Sequence, residues 1–300
     1  MATEENPHQT TATDSSPSFA ARCRSCVRAA LGNTAGSAFS YLRTLRVIYG
    51  KELKSFLCTP FGWVILACTM GLQGFWLQTV LQIMSNATGD SVMYYMLNSV
   101  YFWFYFIFIF ALITMRSFAE EERMGTLEGL LTAPVTTTQI VLGKYLAAYT
   151  FYLILWVPMM LYPWMSHLGN VYTSIKYGIT PEGVIEYRLS DWFGGFSILA
   201  LTGLFFTALG MACSAMTRSQ IIAGILCSCM MISYYFLGRF TELWGEFPAA
   251  PIFHYLSCTE HVGDFSRGLV DTRPVVLYVT LALLTLSVTR RIVDYRRWRR

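Results

Sequence analysis

The chain has 300 residues, of which 54% are hydrophobic and only 13% are charged. Soluble domains carry about 25% charged residues, and the deficit runs along the whole chain, so the composition excludes a soluble domain with a single anchor. The formal net charge of +4 is too small and too scattered to indicate a nucleic-acid partner. We therefore predict an all-α polytopic membrane protein.

The N-terminal residues 1–38 are predicted to form a disordered cytosolic tail, because their beginning is polar and contains no apolar run of the secretory type. Cys23 and Cys26 form a C-x-x-C pair within it. A zinc site needs about two further ligands, and only His8 is near. We predict no metal site, and the role of the pair stays open.

The segment "FSYLRTLRVIYGKELKSFLCTP", residues 39–60, has apolar residues at roughly helical spacing, interrupted by Arg43, Arg46, Lys51 and Lys54. This pattern is typical of a helix that lies in the membrane interface, with its basic face toward anionic lipid headgroups. The alternative is a basic helix that simply continues into the first membrane span.

A membrane-spanning helix needs about 20 mostly apolar residues. Six segments of a domain assigned to residues 39–300 meet this requirement: about 61–84, 94–115, 140–165, 192–214, 221–240 and 274–291. Pro158 and Pro163 are expected to bend or end the third span near its outer end. Asp271 or Thr272 is expected to cap the sixth.

Lys and Arg residues predict the orientation of these spans, because they are enriched in cytosolic loops. With both termini in the cytosol, the outer side holds only five of the 22 Lys and Arg residues. These five are Lys176, Arg188, Arg239, Arg267 and Arg273. The bias supports six spans with both termini cytosolic.

The segment between spans two and three interrupts the apolar sequence with "RSFAEEERMG", residues 116–125. Each of its charged residues would cost about 2.5–3.5 kcal/mol at the centre of a membrane helix, so the segment is predicted to be cytosolic. The stretch 118–131 favours a short amphipathic helix that Pro134 ends. Thr136 and Gln139 predict a capping box for the next helix.

A short amphipathic helix at this position has two plausible uses. It can lie on the bilayer surface, or it can dock into a groove of a soluble partner. The charges of residues 116–128 are mainly acidic and the inner leaflet is negative, which favours docking.

The sequence "FAEEERMGTLEGLLTAPVTTTQIVLGKYLAA", residues 118–148, resembles the signature of ABC type-2 transporter permeases, the membrane subunits of bacterial ATP-driven exporters. "SAMTRSQIIAG" (214–224) and "HVGDFSRGLVDTRPVVLY" (261–278) resemble later segments of the gliding-motility-type permeases within that group. The resemblance covers roughly residues 40–300. It does not extend to the N-terminal 40 residues, and the predicted outer loop 166–190 is long for the family.

The resemblance implies a permease subunit in the bacterial inner membrane that forms a substrate pathway and is not itself an enzyme. It also implies a second permease copy or a paralogue, membrane lipids, and a dimer of separate cytosolic ABC ATPase subunits that binds ATP and Mg²⁺. The chain contains no G-x-x-x-x-G-K-[ST] motif, in agreement with a separate ATPase. The residues carried over as ATPase contacts are Glu120, Glu121, Arg123, Gly125, Thr126, Glu128 and Pro134.

Two further groups of residues are candidates for transport. Gln73, Gln78, Gln82 and Asn98 form either a polar substrate path or hydrogen bonds between helices, which contribute about 0.6 kcal/mol each. The other group forms either an outer gate or a solvated turn with local ion pairs, and consists of Arg267, Asp271 and Arg273.

Two other functions stay open at this point: a secondary transporter or channel, and a membrane anchor of a motility or envelope complex. Proton- and sodium-coupled transporters carry ionisable groups deep inside their spans. Apart from Lys144, which falls in the third predicted span and is counted on the cytosolic side, no Asp, Glu or Lys lies inside a predicted span, which argues against the first alternative. The substrate, its direction of transport and the choice between a homodimer and a heterodimer are not specified by these patterns.

Overall fold

The computed structural model describes residues 40–84, 91–126, 129, 135–177, 189–244 and 250–298. The chain divides into two units, Met1–Thr44 and Leu45–Arg300. In the first unit, residues 40–44 are described and are helical. The predicted tail, residues 1–38, lies outside the described residues.

The described part of the second unit is built from helices and contains no β-strand, which confirms the all-α prediction. Residues 45–58 form helix α1. The helices that follow are α2 (Pro60–Met84), α3 (Val92–Leu97), α4 (Val100–Thr114), α5 (Ala119–Met124), α6 (Thr137–Tyr177), α7 (Leu189–Met216), α8 (Gln220–Trp244), α9 (Ala250–Leu256), α10 (Cys258–Ser266) and α11 (Thr272–Trp298).

Six helical stretches of the described chain are long and apolar enough to cross a membrane. They are Pro60–Ile83, Val100–Met124, Thr137–Leu161, Ser190–Met216, Gln220–Arg239 and Thr272–Arg297. These stretches confirm the prediction of six spans, and the protein is a multi-pass membrane protein.

The third spanning helix, α6, is longer than predicted. It continues through Pro158 and Pro163 as far as Tyr177, so the prolines do not end it, and a bend at these residues stays a prediction. Proline removes one backbone donor, whereas the hydrogen bonds on either side of it continue to hold the helix. Part of the predicted outer loop 166–190 is therefore helical.

Two predicted helix starts are confirmed by their hydrogen bonds. At the start of α6, the Thr136 amide donates to Gln139 Oε1 over 2.9 Å, and the Gln139 amide donates to Thr136 Oγ1 over 3.4 Å. This reciprocal pair is a capping box. At the start of α11, the Arg273 amide donates to Asp271 Oδ1 over 3.1 Å.

The core is centred on the aromatic side of α4. Phe102, Phe106 and Phe110 follow one another at a spacing of four residues and are almost fully buried, whereas residues on the opposite side, such as Phe104, are exposed. Their rings meet Trp156 of α6 at centroid distances of 5.6 Å from Phe102 and 5.8 Å from Phe106. One side of α4 is therefore core, and the other is free to face lipid.

Helix α1 packs on α6. The Phe56 ring stacks on Phe151 with the centroids 5.0 Å apart, and the Tyr49 hydroxyl lies 3.3 Å from the Thr150 hydroxyl. Residues 45–58 of this segment are helical. Its position in the membrane interface stays a prediction.

Candidate functional site

Charged side chains from distant parts of the chain meet at one end of the helix bundle, which we call the charged end. It consists of α1, α5, the first turns of α6, the link Thr217–Ser219 and the last turns of α11. The ion pairs described below join these segments. They place the predicted cytosolic segments at the same end.

Helix α5 begins where α4 ends and is fixed there by Ser214 of α7. The Ser214 hydroxyl accepts hydrogen bonds from the amides of Phe118 and Ala119, each over 3.1 Å. It donates to the Met115 carbonyl over 3.1 Å. One buried hydroxyl thus satisfies backbone groups that the chain reversal leaves without helical partners.

Three consecutive glutamates occupy the first turn of α5, where the helix dipole favours negative charge. Gly125 ends the helix in the left-handed region, with φ of 70°. Its amide donates to the Glu122 carbonyl over 3.2 Å. Glycine adopts this conformation without the steric cost that a Cβ would bring.

Lys144 of α6 is the most buried charge of the charged end. Its side chain is 2% exposed, and its Nζ lies 2.8 Å from Glu121 Oε1 and 3.0 Å from Glu52 Oε1. Nζ also lies 5.6 Å from the centroid of the Phe118 ring. One ammonium group therefore joins α1, α5 and α6. Sequence analysis used Lys144 only to assign an orientation and missed this role.

The other two glutamates of α5 are also paired. Glu120 accepts two hydrogen bonds from Arg116, over 2.6 and 2.8 Å. Glu122 lies 3.3 Å from Nη1 of Arg296 in α11 and 3.4 Å from Nε of Arg218. The side chain of Glu122 is only 6% exposed. Glu121 and Glu122 thus pair with distant segments of this chain, whereas Glu120 pairs with Arg116, four residues before it.

The predicted ATPase contacts fall into two groups in this geometry. Glu120 and Glu121 are half-buried and ion-paired, whereas Arg123, Gly125 and Thr126 are exposed. The remaining two predicted contacts, Glu128 and Pro134, lie outside the described residues.

Residues 34–257 match the family described as ABC-2 family transporter protein. The match covers well over half of the chain and includes the charged segments of α1, α5 and α6. The chain belongs to the ABC-2 transporter family. No curated protein matches it significantly.

Membership in this family makes the chain a membrane permease of an ABC-type transporter, which is a transport component and not itself catalytic. The family resemblance noted in the sequence is confirmed at this level. In the part of the permease that the structure describes, no group of three or more His, Cys, Asp or Glu side chains is placed to hold a metal ion.

The four candidate substrate-path residues of the permease are not brought together. Gln73 is fully buried on α2 and donates from Nε2 to the Leu155 carbonyl over 3.2 Å. Gln78 and Gln82 are exposed on another side of the same helix. Asn98 lies beyond α3, beside a separate cavity. The structure therefore places Gln73 in a helix contact and does not join the four into one polar seam.

The opposite end of the bundle, which we call the short-helix end, is formed by α3, α9 and α10. A cavity of about 340 Å³ opens there, lined by residues that include Tyr94, Asn98, Glu260 and Arg267. The Arg267 guanidinium lies over the Tyr94 ring, 4.1 Å from its centroid.

The predicted gate residues occupy two places at the short-helix end. Arg267 lines the cavity. Asp271 caps α11, and its Oδ2 lies 3.8 Å from Nε of Arg273 on the exposed surface. The pair Asp271 and Arg273 thus forms a local contact at the start of a helix.

His261 of α10 is a buried titratable group at the short-helix end, outside the spans. Its Nδ1 lies 3.3 Å from the Tyr278 hydroxyl. Burial lowers the pKa of His261, while the negative charges of Asp264 and Asp271 act in the opposite direction and His254 in the same direction. The imidazole is therefore held in its neutral form more strongly than an exposed histidine.

Proposed function

We propose that this permease is the membrane subunit of an ATP-driven exporter in the inner membrane of a bacterium. It works with a second permease, either a copy or a paralogue, and with a dimer of separate cytosolic ABC ATPase subunits that binds ATP and Mg²⁺. ABC-2 permeases normally work with such a partner. The substrate pathway lies in the permease pair, whose outer apolar surfaces are covered by lipid.

The segment from Arg116 to Thr126 carries this proposal. It lies at the charged end, between the second and third spans, and its last residues, Arg123–Thr126, are exposed. The excess of Lys and Arg on this side supports the assignment of the charged end to the cytosol. A soluble ATPase therefore has access to this segment, and the membrane does not compete for it.

The ion pairs of α5 suggest how ATP use reaches the membrane. Closure of the two ATPase subunits around ATP displaces α5. Since Glu121 and Glu122 tie α5 to α1, α6 and α11, these helices move with it. The displacement shifts the pathway from inward-open to outward-open.

The gliding-motility-type subgroup is our finer assignment within the family. It is supported by residues 214–224, which form the junction of α7 and α8, and by residues 261–278, which lead from α10 into α11. The first of these segments contains Ser214 and Arg218, which contact α5.

The proposal is tested by co-expression of the full permease with each ABC ATPase of the source cell that has no membrane domain of its own. We expect one ATPase to copurify in fixed stoichiometry. Its ATP hydrolysis rate in lipid nanodiscs should differ between the complex and the isolated subunit.

Gly125→Pro is the matched negative variant. Proline fixes φ near −65° and cannot adopt the φ of 70° at this position, so the turn is lost while the spans still insert. Binding of no ATPase by the wild-type permease, together with transport in vesicles that contain only the permease, would contradict the proposal and favour a secondary transporter or channel. A stable complex whose ATPase rate does not change would favour a membrane anchor.

A further inference from the structure

Hydroxyl groups and guanidinium groups from two remote helices line one cavity at the charged end. The cavity has a volume of about 390 Å³ and lies between the first turn of α6 and the last turns of α11. Residues 136–138, all threonines, line it from α6, and Arg290, Asp294 and Arg297 line it from α11. No described residue of the segment 116–126 lines this cavity, so it is separate from the segment on which the proposed function depends.

The first turn of α6 brings polar groups to this cavity that the described part of the chain leaves without partners. Thr136 is engaged in the capping box with Gln139. Within the described residues, the amides of Thr137 and Thr138 and the hydroxyl of Thr137 make no hydrogen bond. Thr137 is only 5% exposed, so its hydroxyl is enclosed beside the cavity. Free amides at the start of a helix, together with the helix dipole, favour an anion at this place.

The α11 side of the cavity carries an excess of positive charge. Nε of Arg290 lies 3.6 Å from Oδ2 of Asp294, so this carboxylate offsets one of the two guanidinium groups. In the part of the chain that the structure describes, no carboxylate lies within ion-pair distance of Arg297, which is exposed. Guanidinium groups bind phosphate oxygens through paired hydrogen bonds. The donors on both sides of the cavity therefore suit a phosphate group.

The position of the cavity indicates a membrane lipid as the source of this phosphate. The spanning stretches Thr137–Leu161 and Thr272–Arg297 each have one end at the cavity. The cavity therefore lies where a span meets water, which is the level of the lipid headgroups. Basic pockets between spans on the cytosolic side are suited to anionic headgroups.

An apolar stripe on α11 leads from the membrane interior to the cavity. Val276, Val279 and Leu283 are exposed, and Arg290 follows them on the same side of the helix, because all four are related by helical spacing. An acyl chain that lies along this stripe brings its headgroup to Arg290. Free phosphate would gain nothing from the stripe.

We propose that the cavity between α6 and α11 binds the phosphate group of an anionic phospholipid, with an acyl chain along the exposed stripe of α11. Arg297 and Arg290 bind the phosphate oxygens, and the first-turn amides and the Thr137 hydroxyl donate to them. The lipid thereby joins the start of the third span to the end of the sixth. The site does not require the ATPase partner, so its test is independent of the proposed function.

The test titrates phosphatidylglycerol, or phosphatidylcholine with the same acyl chains, into the full permease in detergent, and native mass spectrometry measures the bound lipid. The wild type should retain phosphatidylglycerol in preference to phosphatidylcholine. Arg297→Gln should bind phosphatidylglycerol about fivefold more weakly, with its binding of phosphatidylcholine unchanged. Thr137→Val keeps the shape of the side chain but removes the hydroxyl, and it should bind phosphatidylglycerol about threefold more weakly.

Arg291→Gln is the matched control, because Arg291 is an exposed arginine of the same helix that does not line the cavity. It should bind phosphatidylglycerol as the wild type does, and all three variants should unfold at the wild-type temperature when no lipid is added. Equal binding of phosphatidylglycerol and phosphatidylcholine by the wild type would overturn the inference, as would an equal loss in Arg297→Gln and Arg291→Gln. Excess inorganic phosphate should not displace the lipid, and its displacement by phosphate would overturn the assignment of a lipid to the site.

Discussion

The two ends of the helix bundle are held together by different interactions. At the charged end, Lys144, Glu121 and Glu122 join distant segments by ion pairs. At the short-helix end, backbones approach closely and neutral hydrogen bonds join separate helices. Gly194 of α7 lies against the Phe265 carbonyl of α10, and the Ser91 hydroxyl donates to the Ser266 carbonyl over 2.9 Å.

This difference determines which substitutions each end tolerates. A buried ion pair is destabilised when one partner is removed, because the other charge is left in a medium of low polarity. A close backbone approach is destabilised when volume is added, because no side chain can move away. Removal of charge should therefore weaken the charged end most, and addition of a methyl group should weaken the short-helix end.

The largest effect is expected for Lys144→Met. It leaves Glu52 and Glu121 without their common cation, and the loss of one member of a buried pair costs about 3–5 kcal/mol. Thermal unfolding of the permease in detergent measures this loss. Arg290→Met is the control, since Arg290 is exposed, lies 3.6 Å from Asp294 and contributes at most about 0.5 kcal/mol. Equal unfolding temperatures for the two variants would show that the Lys144 cluster does not hold the charged end.

Gly194→Ala should destabilise the short-helix end by about 1–3 kcal/mol. A Cβ at this position would overlap the Phe265 carbonyl oxygen, which is backbone and cannot rotate away. Gly71→Ala in α2 is the matched control, because a Cβ there meets nothing within 4 Å and alanine favours the helix. The unfolding temperature should fall for the first variant and stay or rise for the second. The reverse order would contradict the close approach of α7 and α10.

A smaller effect is expected for Gly125→Ala at the end of α5. Its φ of 70° costs a residue with a Cβ about 1–2 kcal/mol. The cost falls on a local turn, so hydrogen exchange of the amides at residues 123–126 should increase while the global unfolding temperature changes little. Gly129→Ala, at a position with open space around it, is the control. Unchanged exchange in Gly125→Ala would show that the turn does not need glycine.

The smallest effect is expected for the change in the stability of the short-helix end with pH. Since burial lowers the pKa of His261 in the folded permease, the unfolded chain binds a proton more readily. The contribution of His261 to stability is therefore complete above its unfolded pKa of about 6.5 and is lost as the pH falls below that value.

The unfolding temperature of the wild type should decrease from pH 7.5 to pH 5.5 more than that of His261→Gln. The glutamine variant keeps a polar group opposite Tyr278 but does not titrate. Identical pH profiles would show that His261 has no part in this dependence.

The sequence predicted much of the fold because the features concerned are local. A run of apolar residues long enough to span a membrane is recognisable from the sequence alone. The capping box is also local, because it involves only the four residues from Thr136 to Gln139. The end of α6 was mispredicted at Pro158 and Pro163. Each proline removes one backbone hydrogen bond of the helix, and the prediction did not account for the hydrogen bonds that remain on either side.

The sequence identifies the acidic segment but not its pairing. The segment follows the aromatic helix α4, yet the sequence does not tell which side chains Glu120 and Glu121 contact. Their partners include Lys144, which is distant along the chain and was treated as a marker of membrane orientation. Gln73 and Gln78 were likewise grouped by residue type, and only their positions on α2 separate a buried from an exposed side chain.

The sequence by itself therefore determined the class of protein, its six spans, its main helix caps and the family to which it belongs. These depend on hydrophobicity, hydrogen bonding and motifs that act over short stretches of chain. Only the tertiary structure decided that Lys144 joins three helices and that Glu121 and Glu122 pair with distant segments. Such pairings arise when packing brings remote segments within about 3 Å of each other, and no local pattern contains that distance.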